Sequence, residues 1–136
     1  MQTYRLTRTS LSRLEGVHPD LIRVVQHAIT ITPIDFMVLE GLRTVERQRQ
    51  LVRQGASKTM NSKHLTGHAV DLVPFLDTDG DGDSEVSWHW PHYHRLAPVI
   101  KDAAKECGVT LSWGGDWRSF KDGPHWELDP KRYPLK

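Results

Sequence analysis

Between His18 and Ile31 the apolar residues Leu21, Val24, Val25, Ala28 and Ile29 recur at i, i+3, i+4, i+7 and i+8, the stripe of an amphipathic helix. Pro19 suits its first turn and Pro33 stops it. The apolar run from Phe36 to Leu39, ending at Glu40-Gly41, predicts a core strand. Thr44 then caps a polar helix running to about Gln54, with Gly55 as its stop. Residues 68–75, HAVDLVPF, are rich in valine, follow Gly67, carry Pro74 near their end, and read as a second strand. Leu96, Val99, Ile100, Ala103, Ala104 and Cys107 form a second helical stripe, closed by Gly108. Pro98 conflicts with that stripe and has to sit in the first turn or kink the helix. VTLSW and, later, HWEL predict two more strands separated by a glycine-rich turn. With no internal repeat and no low-complexity linker, the expectation is one α+β domain over residues 1–136, its helices packed against an antiparallel sheet.

Composition narrows the class without naming an activity. A chain of 136 residues with 38% hydrophobic and 26% charged residues can bury a core in the ordinary globular manner. No run of 18 apolar residues exists, so no membrane insertion is expected. The basic N-terminal segment lacks an apolar stretch behind it, so a secretory signal is not expected either. Cys107 is the single cysteine, which excludes an internal disulfide framework and fits a reducing compartment of synthesis. The net charge is only +1 but is unevenly spread: residues 1–63 carry ten Lys/Arg against five Asp/Glu, and residues 77–85 carry five acids and no base. A basic front half could meet nucleic acid or an anionic cell wall. Without aromatic interleaving or a nucleic-acid motif, the wall is the better partner and no nucleic acid is expected.

Eight histidines are present, most of them suited to ordinary solvated or packing roles. His64 and Asp71 stand out by their setting, SKHLTGHAVDLVPF, in which one carboxylate interrupts an apolar strand. Such an Asp is costly to bury unless paired or metal-bound, or else it faces water at a strand edge. His125 likewise opens an apolar strand, with Asp122 three residues before it. Gly123-Pro124 between them makes a turn through which both side chains can converge. Two histidines and a carboxylate make a zinc site of the catalytic kind, with a position left for water. A nearby free carboxylate, Asp122, is placed to take the proton from that water.

These residues also carry a resemblance. Ser62-Lys63-His64, Gly67, Ala69 and Asp71 match the S-x-H-x-x-G-x-A-x-D signature of the LAS-type zinc peptidases. That group includes the VanY-like D-Ala-D-Ala carboxypeptidases and the L-alanyl-D-glutamate endopeptidases of bacteriophages and bacilli. The similarity continues at Gly114-Gly115-Asp116-Trp117, at Asp122-x-x-His125, and at Glu40-Gly41-Leu42-Arg43-Thr44, which resembles the family's G-x-R-T segment. Leu14-x-Gly16-Val17-His18-Pro19 is similar to the endopeptidase branch. The resemblance implies the hedgehog/D-Ala-D-Ala-peptidase-like fold, zinc on His64, Asp71 and His125, and Asp122 as general base. It also implies that Arg43 binds the carbonyl oxygen as it becomes an oxyanion; without the family, an arginine there reads equally as a surface charge at a helix start.

Around this set, His64 and His68 are spaced i, i+4, but Gly67 argues against a shared helix and His68 is expected to line the pocket or serve the fold. Asp116 and Glu127 are candidates to orient ligand histidines or to form surface ion pairs. Ser62 is a candidate to contact substrate or cap a turn, and Trp113, Trp117 and Trp126 to wall a peptide groove or pack the core. Outside the family pattern, DTDGDGDSE puts Asp77, Asp79, Asp81 and Asp83 at positions 1, 3, 5 and 7 of an EF-hand-like loop. Position 12 is Trp88 in place of the bidentate glutamate, so the loop reads as a partial Ca²⁺ site or a solvated hairpin tip. The leading functional expectation is a monomeric phage-type endolysin that cuts the L-Ala–D-Glu bond of the peptidoglycan stem peptide. It would be made in the host cytoplasm and reach the wall after another protein opens the membrane. The same zinc chemistry could serve a D-Ala-D-Ala carboxypeptidase. A non-catalytic wall-binding domain on this fold would be expected to lack a ligand or the base, and all four positions are present.

Overall fold

Thr7 accepts a hydrogen bond from the Ser10 backbone at 3.0 Å and so starts a short helix, α1 (Arg8–Arg13). The computed structural model describes residues 3–57 and 59–134. Its further elements are α2 (Pro19–Ile31), β1 (Phe36–Glu40), α3 (Val45–Arg53), β2 (Ala69–Leu76), β3 (Glu85–Val86), α4 (Trp90–Cys107), β4 (Leu111–Trp113) and β5 (His125–Leu128). Short 3-10 turns at Lys63–Thr66 and Gly114–Asp116 lead into β2 and follow β4.

The expected stripe of α2 is the one it buries: Leu21, Val24, Val25, Ala28 and Ile29. Helix α4 starts earlier than its predicted stripe, with Pro91 in its first turn. Pro98 therefore lies neither in the first turn nor at an end, but mid-helix on the water-exposed side. There the ring removes one helical N–H from a face where water can satisfy the freed carbonyl. The opposite side of α4 buries Tyr93, Leu96, Ala97, Ile100, Ala103 and Ala104, packed along α2 and over the sheet.

The sheet is antiparallel throughout, ordered β1-β2-β5-β4, with β3 pairing β2. Alternation assigns its faces. Phe36, Val38, Val70, Leu72, Trp113, Trp126 and Leu128 join the helices in the core, so Asp71, His125 and Glu127 point to the other side. A bulge between Val38 and Glu40 shifts the pairing so that Glu40, rather than Leu39, lies opposite Asp71. Bulges re-aim side chains in this way beside functional sites. Across β1, β2 and β5 the register then reads Glu40, Asp71, His125. The free edge of β1 is closed by α1: Val38 N–H donates to the buried Ser10 hydroxyl at 3.0 Å, and Arg13 donates to Val38 O at 3.0 Å. No helix among the described residues is long and apolar enough to cross a membrane.

Candidate metal centre

Ser62 caps the 3-10 turn by accepting the His64 backbone N–H at 3.2 Å, which sets His64 inward at 2% side-chain exposure. The turn ends at Gly67 in a left-handed conformation, φ 76°. A Cβ on Gly67 would lie 2.4 Å from Gly16 O, and Gly67 O accepts the His18 N–H at 2.8 Å. The segment from Leu14 to His18 is thus the seat on which the His64 turn rests.

Inside this frame His64 Nδ1 donates to Gly41 O at 2.8 Å; a carbonyl only accepts, so Nε2 is the nitrogen left to meet Asp71 through a proton or a metal. That Nε2 lies 3.2 Å from Asp71 Oδ1. His125 is arranged the other way round. Its Nε2 donates to Glu127 Oε1 at 2.8 Å, leaving Nδ1 3.5 Å from the same Asp71 oxygen. The rings meet edge to face at 5.2 Å between centroids. His64, Asp71 and His125 offer ligand atoms that all lie within 4.8 Å of one another, a group able to hold a metal ion. Bonds of about 2.0–2.1 Å at tetrahedral angles put neighbouring donor atoms about 3.4 Å apart. The separations of 3.2 and 3.5 Å fit that spacing, and imidazole with carboxylate suits a borderline cation.

Electrostatics agree with a cation site. Burial works to raise the pKa of Asp71, but hydrogen bonds and charge from His125 and His64 outweigh it and hold the carboxyl well below its ordinary range. Burial disfavours the charged ring of His125, yet Asp71 and Glu127 win and push its pKa up to about 9. The site therefore gathers positive charge, as protons or as a metal.

Asp122 lies beside this group, through the turn foreseen at Gly123-Pro124. Its N–H donates to Gly114 O at 3.1 Å, and its own carbonyl accepts the His125 N–H at 3.3 Å. Burial first, and the Asp71 charge second, raise the Asp122 pKa, which makes its carboxylate a stronger base. Gly114 permits the convergence: a Cβ there would stand 2.4 Å from Asp122 O and 3.0 Å from His125 Cβ. Gly114→Ala is expected to destabilise the protein by roughly 1–3 kcal/mol through overpacking. The check is a lower Tm in thermal unfolding; an unchanged Tm would mean that the loop yields freely.

Arg43 is only 9% exposed. Its Nε donates to Glu40 Oε1 at 3.0 Å and its Nη2 to the same oxygen. Its Nη1 donates to Gln48 Oε1 at 2.7 Å and stands 3.5 Å from Ser62 Oγ. Its Nη2 is 3.9 Å from Asp71 Oδ2, so the guanidinium borders the metal group. Gln48 was not foreseen. It is the one buried residue of polar α3, and its Nε2 donates to Ser57 Oγ at 2.9 Å and to Thr59 O at 2.5 Å. The available signal was indirect: a helix without an apolar stripe has to be anchored by something else.

The remaining candidates separate. Glu127 reaches His125 as described, with Lys63 Nζ 2.5 Å from its other oxygen. Burial works to raise the Glu127 pKa, but these two partners hold it below the ordinary range. Asp116, a candidate to orient a ligand histidine or to form a surface ion pair, takes the second role: it pairs with Lys101 at 2.8 Å on the surface, where the 3-10 turn places it. His68 accepts or donates at Thr66 Oγ1, 2.7 Å away, and its ring lies 5.5 Å from that of His18; it belongs to the seat and not to the metal group. Trp113 and Trp126 stack in the core, whereas Trp117 lies half-exposed 5.0 Å from the His125 ring. In the acidic loop Asp77, Asp79 and Asp81 come together with Glu85, and Asp83 is not of that group. Pairing of β3 with β2 brings Glu85 back onto Thr78, while Asp83 N–H only closes a turn on Asp81.

Comparison with known proteins follows the same residues. The family described as phage L-alanyl-D-glutamate peptidase matches residues 2–129. The L-alanyl-D-glutamate peptidase of Escherichia phage T5 is 31% identical over 124 residues, covering 88% of this chain and 86% of that protein. The peptidoglycan L-alanyl-D-glutamate endopeptidase CwlK of Bacillus subtilis (strain 168) is 31% identical over 115 residues, 71% of this chain and 62% of CwlK. The crystal structure of the Serratia marcescens L-Ala D-Glu endopeptidase ChiX superposes with a TM-score of 0.86 at 44% identity, covering 97% of this chain and 96% of that one.

Proposed function

This chain belongs to the phage L-alanyl-D-glutamate peptidase family, and on that premise we propose that it is a zinc-dependent endopeptidase hydrolysing the L-Ala–D-Glu bond of the peptidoglycan stem peptide. The observation that carries the reading is the pair of histidines presenting opposite ring nitrogens to one Asp71 oxygen, with Asp122 alongside. His64 Nε2, Asp71 Oδ1 and His125 Nδ1 would hold the ion. Zinc there would lower the pKa of a coordinated water to about 7 and polarise the scissile carbonyl.

The chain's own groups do the rest. Asp122 accepts the proton of the attacking water on its carboxylate, while the hydroxyl oxygen bonds to the L-Ala carbonyl carbon. Arg43, held in place by Glu40 and Gln48, faces the oxygen that gains negative charge. As the C–N bond breaks, Asp122 hands its proton to the departing D-Glu nitrogen, which restores the carboxylate. The similar proteins of phage T5, Bacillus subtilis and Serratia marcescens are L-alanyl-D-glutamate peptidases, which favours this bond over the terminal D-Ala-D-Ala bond.

The test is digestion of purified sacculi followed by mass spectrometry, with metal analysis of the protein before and after chelation. The expected results are zinc in the protein, new N-terminal D-Glu in the digest, loss of cleavage on chelation and return of cleavage with zinc. Free D-Ala instead would make it a carboxypeptidase. Wall binding without release of either product would make it a binding domain.

A further inference from the structure

Lys63 and Glu127 are half-buried polar partners that the proposed chemistry does not use. Glu127 follows His125 by two positions in β5, so both side chains leave the same face of the strand. Proximity alone does not aim a glutamate, whose side chain turns freely toward water. Here one oxygen, Oε1, accepts from His125 Nε2 at 2.8 Å, and the other, Oε2, lies 2.5 Å from Lys63 Nζ. Lys63 and Glu127 are only 20% and 16% exposed, so the pair is largely withdrawn from solvent. Lys63 belongs to the 3-10 turn that also carries His64. The ion pair thus ties the turn bearing one histidine to the strand bearing the other.

We infer that Lys63 and Glu127 act together as a positioning pair that selects Nδ1 of His125 as its metal-binding nitrogen and fixes the His64 turn against β5. The inference rests on the zinc reading above. A histidine binds metal through whichever nitrogen is bare, and the partner of the other nitrogen decides which that is. Gly41 O makes that choice for His64, through backbone that no substitution of a side chain removes. For His125 the choice falls to a side chain, which needs a second anchor to stay in place. Lys63 supplies that anchor. It stands at the unspecified position of the S-x-H signature, so the device is a property of this chain's own residues.

The experiment measures Zn²⁺ affinity by competition with a chromophoric chelator, and the visible spectrum of the Co²⁺-substituted protein, for purified full-length variants. Circular dichroism confirms the fold of each variant without metal. Glu127→Ala is expected to weaken Zn²⁺ binding about 10- to 100-fold, the range for loss of a group orienting a ligand histidine, and to alter the Co²⁺ spectrum. Lys63→Met is expected to weaken binding by a smaller factor and Lys63→Arg to restore most of it. In a Glu127→Ala background Lys63→Met should cost nothing further, since its effect passes through Glu127. A folded Lys63→Met or Glu127→Ala protein with wild-type affinity and spectrum overturns the inference, as do two effects that simply multiply. Failure of the zinc reading looks different: His64→Ala and His125→Ala would then leave Zn²⁺ affinity unchanged.

Discussion

Asp122→Ala is expected to leave zinc bound and to lower kcat by about 10²–10⁴-fold, the range for removing a positioned general acid–base group. The separation of the two effects follows from position. Asp122 is not among the residues whose ligand atoms cluster within 4.8 Å, whereas the backbone around it shapes the loop that delivers His125. Alanine keeps that backbone and removes only the carboxylate. Its raised pKa has burial as the main cause and the Asp71 charge as the second, so the group is tuned to accept a proton more readily than a surface aspartate. Zinc content and single-turnover cleavage, measured on the same preparations of Asp122→Ala and His125→Ala, test the assignment. Loss of metal from Asp122→Ala with retention by His125→Ala would reverse the two roles.

How far the residues announced this site depends on the range of the interactions involved. The stripe of α2 was legible because five apolar positions at helical spacing meet one core. The start of α4 was not, because Tyr93 extends the same stripe from within a run of histidines that reads as polar. The convergence of Asp122 and His125 was legible because Gly123-Pro124 forces a turn locally. The opposite use of the two histidine rings was hidden, since it depends on Gly41 O and Glu127, brought in by sheet pairing and a loop. Asp83 was expected with the other loop acids on spacing alone. The return of the chain into β3 puts Glu85 there instead. For Asp116 the sequence left an orienting role and a surface ion pair open, and the 3-10 turn settles it as the ion pair with Lys101.

The bulge in β1 leads to the second large effect. Glu40 faces Asp71 only because the register slips between Val38 and Glu40, and there it anchors Arg43 from one side while buried Gln48 anchors it from the other. A guanidinium fixed by two acceptors needs little reorganisation when charge develops on a neighbouring oxygen, which is what makes such a group effective. Arg43→Ala is therefore expected to lower kcat by about 10²–10³-fold, comparable to removing one oxyanion donor. KM should change far less, because the interaction strengthens as the reaction proceeds. Lysine should not rescue it: a point charge cannot satisfy Glu40 and Gln48 together in the planar geometry that arginine supplies. Steady-state kinetics on a synthetic stem peptide, with Tm followed in parallel, separates the outcomes. A rise in KM at constant kcat would make Arg43 a substrate-binding group. Equal losses in Tm and activity, with activity restored on cooling, would confine its role to holding Glu40, Gln48 and the His64 turn together.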